Sequence, residues 1–324
     1  MGWPVEPSLS GSVSSVLVLG VADVVDVIDE FTSRLRAHRA ELNAINVFPV
    51  ADNDTGTNMV RSLEAVTAAS AGATDLKSLA AAVENAALSG RGNSGLIIGQ
   101  FLAGFTSAAN GDRLDVGAGL VAAAALAREA VASPVEGTML TVADSVAAVI
   151  VGDPTVGVEQ LAVHADVAVA ATTEQLAVLA ERGVVDSGAF GLAMFFGALA
   201  SVVGGAADSG PEDGVEADGR EIICDVGNNR VADHPIGALT SISMAYEIQF
   251  RVVRSVVDVG ELQTILSSLG TDVVVASSAD HLSAHVHVSD PHVATSAISA
   301  QLESRPTGKA ISYDVEAIAV RAQR

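Results

Sequence analysis

VADVVDVIDEFTSRLRAHRAELN, residues 21–43, sets Val21, Val24, Val25, Ile28, Phe31 and Leu35 at spacings of three and four. That is the apolar stripe of a helix with one buried face. The same period, broken by Gly, Pro, Asp or Ser, predicts further helices at 57–71, 76–88, 94–108, 114–132, 138–151, 157–182 and 187–203. Eight helices and no convincing strand predict an all-α bundle. Ala-rich faces let the helices approach closely, and only eight Phe, two Tyr and one Trp must be housed in the whole chain. The most apolar window, Ala189 to Val203, holds 15 residues with two glycines. A bilayer needs roughly 20, so this window reads as a buried core helix.

Beyond the bundle the composition changes. GGAADSGPEDGVEADGR, residues 204–220, has no large apolar residue except Val215 and reads as a linker. After it the period shifts to two. SISMAYEIQFRVV alternates, GELQTILSSLG is helical, DVVVAS and HLSAHVHVS read as strands, HVATSAISAQLESR as a helix and ISYDVEAIAV as a strand. The order β-α-β-β-α-β predicts a small α+β domain of ferredoxin-like type. The expected organisation is a helical domain over 1–205, a linker at 206–220 and an α+β domain over 221–324.

Composition narrows the function. Seventeen basic against 39 acidic side chains give a net charge of −22, which repels polyanions and argues against a nucleic-acid partner. A nucleotide remains compatible, because a divalent cation and backbone N–H groups offset phosphate charge locally. Cys224 is the single cysteine, so no intrachain disulfide forms and a cytoplasmic setting is expected. The first twenty residues lack the basic start of a secretory signal and read as a leader into the first helix; no membrane-spanning segment is expected.

The chemistry is concentrated in NAINVFPVADNDTGTNM, residues 43–59, a loop between two helices. Asp52 and Asp54, two residues apart in irregular backbone, can converge on one hard cation, and Asn46 offers a further oxygen. The helix beginning near Thr57 turns its free N–H groups toward the same place. A run of N-cap and turn residues would look similar. An EF-hand is excluded, because the sixth and twelfth residues from Asp52 are Thr57 and Leu63 where Gly and Glu are required. The phosphatase-like string DNDTG lacks its buried parallel strand, since Pro49 interrupts the preceding run.

A second loop, SGRGNSGLIIGQ at 89–100, sets Gly90, Gly92 and Gly95 around a helix start and reads as a phosphate cradle. Tight helix packing would explain it about as well. It is not a Walker loop, for neither Lys77 nor Lys309 stands in that context. PVEGTMLTV, 134–142, and GVVDSGAFGL, 183–192, also open helices. Four unusual loops at helix N-termini point to one end of the bundle as a binding face.

Together these four motifs resemble the L domain of dihydroxyacetone kinases, most closely the version in bacterial fatty acid kinases, over about residues 20–203. The resemblance implies an eight-helix antiparallel bundle or barrel with ATP or ADP at one end, bridged by Mg²⁺ on Asp52 and Asp54, the residues on which phosphoryl transfer would depend. Asn46 falls near a further metal position that is Asp in the relatives. Thr55, Asn58, Ser94 and Gly95 match phosphate-binding positions, and Gly56, Gly92 and Asn93 belong to the same two cofactor-binding loops. Thr138 and Met139 lie where the nucleoside packs, and Asp186 in the loop that closes over it. Asn53 departs from the usual glycine between the aspartates, a change Asn tolerates because it visits left-handed backbone.

The second domain resembles the middle domain of fatty acid kinases. His285 and His287 share one strand face, and Glu247 stands where the relatives have Cys. Glu247, His285 and His287 form a candidate zinc set; two solvated strand histidines are the other reading. The expected activity is transfer of a phosphoryl group from ATP to a fatty acid presented by a lipid-carrier protein, with homodimerisation open. A dihydroxyacetone kinase-type transfer and a non-catalytic nucleotide-binding role are the alternatives.

Overall fold

Val24, Ile28, Phe31 and Leu35 of the predicted stripe are fully or almost fully buried along α1 (Val21–Ala44), joined by Val27, while Val21 and Val25 are only partly buried. The computed structural model describes residues 17–207, 246–253, 257–303 and 312–317. The leader through residue 16, Cys224 and the expected linker beyond residue 207 lie outside the described residues.

The chain is mostly helical up to residue 207. α2 (Thr55–Ser70), α3 (Leu76–Ala87), α4 (Gly92–Ser107), α5 (Val116–Glu129), α6 (Met139–Gly152), α7 (Val158–Gln175), α8 (Ala177–Arg182) and α9 (Ser187–Ala207) follow α1. α1 packs on α2 and α9, α4 on α3 and α5, and α6 and α7 close back on α9. Five phenylalanines knit the centre: Phe195 meets Phe31, Phe101, Phe105 and Phe196 edge-on at 5.1–5.6 Å between ring centres. By length and composition Ser187–Gly205 could cross a membrane, yet 61% of that window is buried inside the protein, as its reading as a core helix requires.

Three expectations are corrected. The predicted helix 157–182 breaks at Leu176, whose φ of −120° and ψ of 120° are extended. The cause lies in side chains that bond to backbone in place of continuing the helix: Thr173 Oγ1 donates to the Val184 carbonyl, and Thr172 Oγ1 accepts the Asp186 amide. The first unit also contains strands, where none was expected. β1 (Val18–Leu19), β2 (Ala109–Asn110) and β3 (Arg113–Asp115) form an antiparallel sheet in the order β1-β3-β2. Gly111, with φ +63°, turns the chain between β2 and β3, and Asp115 then caps α5 by accepting the Ala118 amide. Consequently, among the described residues this unit has nine helices, and α5 starts two residues later than expected.

The second unit comprises β4 (Tyr246–Val253), α10 (Val259–Ser267), β5 (Thr271–Ser277), β6 (His281–Val288), α11 (Pro291–Glu303) and β7 (Ser312–Ala317). Its sheet is antiparallel throughout in the order β5-β6-β4-β7. Ile248, Phe250, Leu282, Ala284 and Val286 point into a core shared with Leu262, Leu266 and Ile298 of the two helices.

The other sheet face is not left to solvent. Arg251 donates to the Leu88 carbonyl at 2.9 Å, Gln249 to the Gly90 carbonyl, and Gln100 to the Ser277 carbonyl. An extra backbone link joins Ala132 and Ala130 of the helical unit to Val273 and Val275 of β5. The polar face of the sheet is therefore docked beside the loop that precedes α4.

Candidate functional site

Asp54 occupies the N-cap of α2, but its side chain accepts none of that helix's amides. It accepts Asn58 Nδ2 instead, at 2.8 Å. The capping explanation of this acidic loop therefore fails for Asp54, whose carboxylate is held at the mouth of α2 without capping it. Asn46 braces the loop: its Oδ1 accepts both the amide and the hydroxyl of Thr55, at 3.2 and 2.6 Å, while Nδ2 donates to the Val50 carbonyl. Its oxygen is thus already engaged, which makes Asn46 a loop brace more than a metal ligand. Asn53 takes φ of 59°, the left-handed backbone expected of it, and this reversal sets the two aspartates side by side.

Burial, first, and then the adjoining Asp54 carboxyl push Asp52 up to about 7, with Glu247 adding a smaller push. Such a group accepts a cation readily, since a positive charge relieves both causes.

The loop before α4 lies against α2. Gly92 has φ +60°, and a Cβ there would meet Asn58 Nδ2 at 2.7 Å; a side chain would be strained and would collide with the residue that holds Asp54. Asn93 Oδ1 is buried without a hydrogen-bond partner. Gly56 and Gly95 serve differently from expectation. Neither lines the cavity; a Cβ at Gly56 would meet the Arg39 carbonyl at 2.5 Å and one at Gly95 would meet Ser62 Oγ at 2.3 Å. They are close-packing positions that let α2 approach α1 and α4 approach α2.

These loops enclose a cavity of about 420 Å³. Asn46, Asp52, Asp54, Thr55, Asn58, Gly92, Asn93, Ser94, Thr138, Met139 and Asp186 all line it, so one concavity gathers the predicted residues of all four loops. Thr138 caps α6. Asp186 is buried and accepts amides from Met139, Gly188 and Ala189, which ties the starts of α6 and α9 together. Burial pushes it up to about 7 despite those bonds.

The sign of the resulting pH dependence is fixed. A buried Asp186 keeps a proton that the unfolded chain releases near pH 4, so the stability it contributes is full below about pH 4 and is lost as pH rises through about 7. Without metal or nucleotide, the stability of the wild type relative to Asp186→Asn should fall across that window, since Asn keeps an accepting oxygen but does not titrate. Urea midpoints at a series of pH values measure it; a difference that stays flat or rises would remove the assignment.

The same cavity is also walled by the second unit, through Glu247, Asp272, His285 and His287. The expectation of a separate second-domain site is thereby corrected: the two constellations face one space. The solvated-histidine reading is corrected too, for His285 and His287 are 1% and 5% exposed. Glu247 Oε1 lies 2.9 Å from His285 Nδ1, but not in line for a hydrogen bond. Both ring nitrogens of His285 and Nδ1 of His287 lack hydrogen-bond partners. One ligand atom from each of Glu247, His285 and His287 can be chosen so that all lie within 4.8 Å of one another. Burial opposes ionisation of Glu247, yet the nearby His285, His287 and Arg91 hold it below its ordinary value. Asp272 is the wall residue that sequence reasoning missed; an Asp at a strand start carries no signal beyond a turn.

Residues 49–201 match the DAK2 domain family. The chain resembles the protein YloV of Bacillus subtilis, at 31% identity over 281 residues, covering 79% of this chain and 49% of that protein. It also resembles the protein MG369 of Mycoplasma genitalium, at 28% identity, with 85% of this chain and 53% of that one covered. The chain thus spans about half the length of these relatives. A crystal structure of the dihydroxyacetone kinase from C. freundii with AMP-PNP and Mg²⁺ aligns with 62% of this chain and 37% of that one, at 20% identity and a TM-score of 0.46.

Proposed function

With residues 49–201 a DAK2 domain, we propose that the chain is the nucleotide-binding part of a Mg-dependent kinase that phosphorylates a fatty acid presented by a lipid-carrier protein. The observation that carries this reading is the convergence of Asp52, Asp54, Asn93 and the starts of α2 and α4 on one cavity. Asp52 and Asp54 would hold Mg²⁺, which when bound neutralises phosphate charge. Ser94, Asn93 and the first amides of α4 would receive the phosphates. Met139 and Thr138 would pack the nucleoside, in a wall stiffened by Asp186.

In the reaction, a carboxylate oxygen of the fatty acid attacks the γ-phosphorus, the bond from that phosphorus to the bridging oxygen breaks, and ADP leaves with the bond's electrons. The products are an acyl phosphate and ADP, and no protein nucleophile is consumed. The chain's own work is to align, to exclude water and to hold the carboxylates in place. We read the small unit as ferredoxin-like and as the wall that closes this space. Its buried, unpartnered histidine nitrogens support zinc bound by Glu247, His285 and His287 over the alternative of solvated side chains.

Thermal shift with ADP, Mg²⁺ and the two together tests the nucleotide site. Stabilisation is expected only with both, by about 2.7 kcal/mol at a hundred times the Kd, which for a unit of this size is roughly 5–10 °C. Equal shifts with ADP alone would refute the role of Asp52 and Asp54. Acyl phosphate formation from ATP with a fatty-acid-loaded carrier tests the acceptor.

A further inference from the structure

β5 does not pair evenly with β6. The register slips between Thr271 and Val274, and within that bulge Asp272 takes φ of +55°, a left-handed backbone that few residues other than glycine adopt. The bulge turns the Asp272 side chain into the cavity, where Oδ2 lies 3.4 Å from His287 Nδ1. Thr271 Oγ1 steadies the same oxygen with a hydrogen bond of 2.8 Å. His287 is 5% exposed; its Nδ1 makes no hydrogen bond of good geometry, and the Asp272 carboxylate is the acidic group at ion-pair distance from that nitrogen. Glu247 and His285 stand beside it with a ligand atom each.

Resting on the reading of Glu247, His285 and His287 as metal ligands, we propose that Asp272 is the positioning residue of that centre, fixing the ring of His287 by its Nδ1 side and directing Nε2 at the metal. Asp272 stands beside the three-residue group on the Nδ1 side of His287, the place of a residue that orients a ligand. A metal-bound imidazole that donates its other N–H to a carboxylate has one tautomer and one orientation, and that partner governs affinity. Three protein ligands with a second carboxylate behind one of them leave a coordination position open, as catalytic zinc sites do and closed structural ones do not. Glu247, His285 and His287 line the same cavity as Asp52 and Asp54, so a metal held there would have its free position within reach of that space. The class of ligand that fits there is a single oxygen donor: water, or a carboxylate oxygen of an acid substrate.

The bulge supplies a test that a merely structural role would fail. Glycine accepts φ of +55° freely, so Asp272→Gly should leave the metal-free chain as stable as wild type or more so. The same change should weaken zinc binding 10- to 100-fold, measured by competition with a chromophoric chelator, and Asp272→Asn, which keeps an acceptor oxygen, should recover much of it. In cobalt-loaded protein the visible spectrum of Asp272→Gly should change, since the geometry at His287 is released. Zinc affinity in Asp272→Gly equal to wild type would overturn the proposal. So would loss of metal-free stability in step with loss of zinc. A wild-type chain that binds no zinc at all would instead remove the metal reading itself, and this inference with it.

Discussion

Asp52→Ala is expected to weaken Mg-ADP binding severely and to leave the fold intact. The carboxylate sits half-buried in a loop, caps no helix and pairs with no basic side chain among its described neighbours. Burial and Asp54 together make its negative charge unfavourable in the empty protein, so its removal should not destabilise the metal-free chain. In the loaded site the balance inverts, because the same charge faces a divalent cation that in turn faces phosphates. Loss of a carboxylate ligand is expected to weaken Mg-ADP by roughly 100-fold or more, which is about 2.7 kcal/mol. Calorimetric titration reads this directly, with circular dichroism as the check on folding. An ADP affinity equal to wild type in the presence of Mg²⁺ would break the central assignment.

Much of this site could be read from the chain, because its parts are local. Asp52 and Asp54 lie two residues apart, Asn53 supplies the left-handed turn between them, and Gly92 opens α4 from a glycine-rich loop. Helix periodicity located α1 to α6 within about three residues, because most of them bury one apolar stripe between Gly, Pro, Asp or Ser breaks. The starts of α2 and α4 fall at Thr55 and Gly92, two residues before the expected ones, because Asp54 and Arg91 take the N-cap places. Where a boundary depends on a distant partner, the period is silent. The break at Leu176 follows from Thr172 and Thr173 reaching the 184–186 segment, a contact that no spacing within 157–182 encodes. The small sheet of the first unit was legible in principle, for Asn110-Gly111 is a hairpin signal, but strands of two and three residues have no alternation to show.

The assembly of the two units was not legible at all. Alternation along β4 and β6 identifies Glu247, Gln249, His285 and His287 as sharing the polar face, and a polar face reads as a solvated one. What covers it is set by Arg251 and Gln249 bonding to the carbonyls of Leu88 and Gly90, groups that any residue type presents. For the same reason Gly56 and Gly95 read as ligand contacts when they are packing contacts. A glycine records that something comes close, not whether it is a phosphate or Ser62 Oγ.

Phe195→Ala is expected to be the most damaging single truncation in the bundle. The ring is fully buried at the meeting point of α1, α4 and α9, where it touches four other phenylalanine rings at 5.1–5.6 Å and near-perpendicular angles. Phe-to-Ala changes in cores cost about 3–5 kcal/mol through lost transfer and the residual cavity. Four edge-to-face contacts, each worth roughly 0.5–1.5 kcal/mol, place this site toward the upper end. Collapse around the hole is restricted where Phe101 and Phe196, two of the surrounding rings, also meet edge-on at 6.1 Å. At roughly 2–4 °C per kcal/mol for a unit of this size, the thermal midpoint should fall by roughly 10–20 °C, while Phe195→Leu, which fills much of the space, should lose far less. Mg-ADP affinity in whatever fraction stays folded should be near wild type, because Phe195 stands about two turns along α9 from its N-terminus and lines no part of the cavity. The same measurement decides what α9 is. A helix of this length and apolarity whose Phe195 faced lipid would tolerate the change, so an unaltered midpoint would mean that the aromatic cluster is not what holds the bundle together.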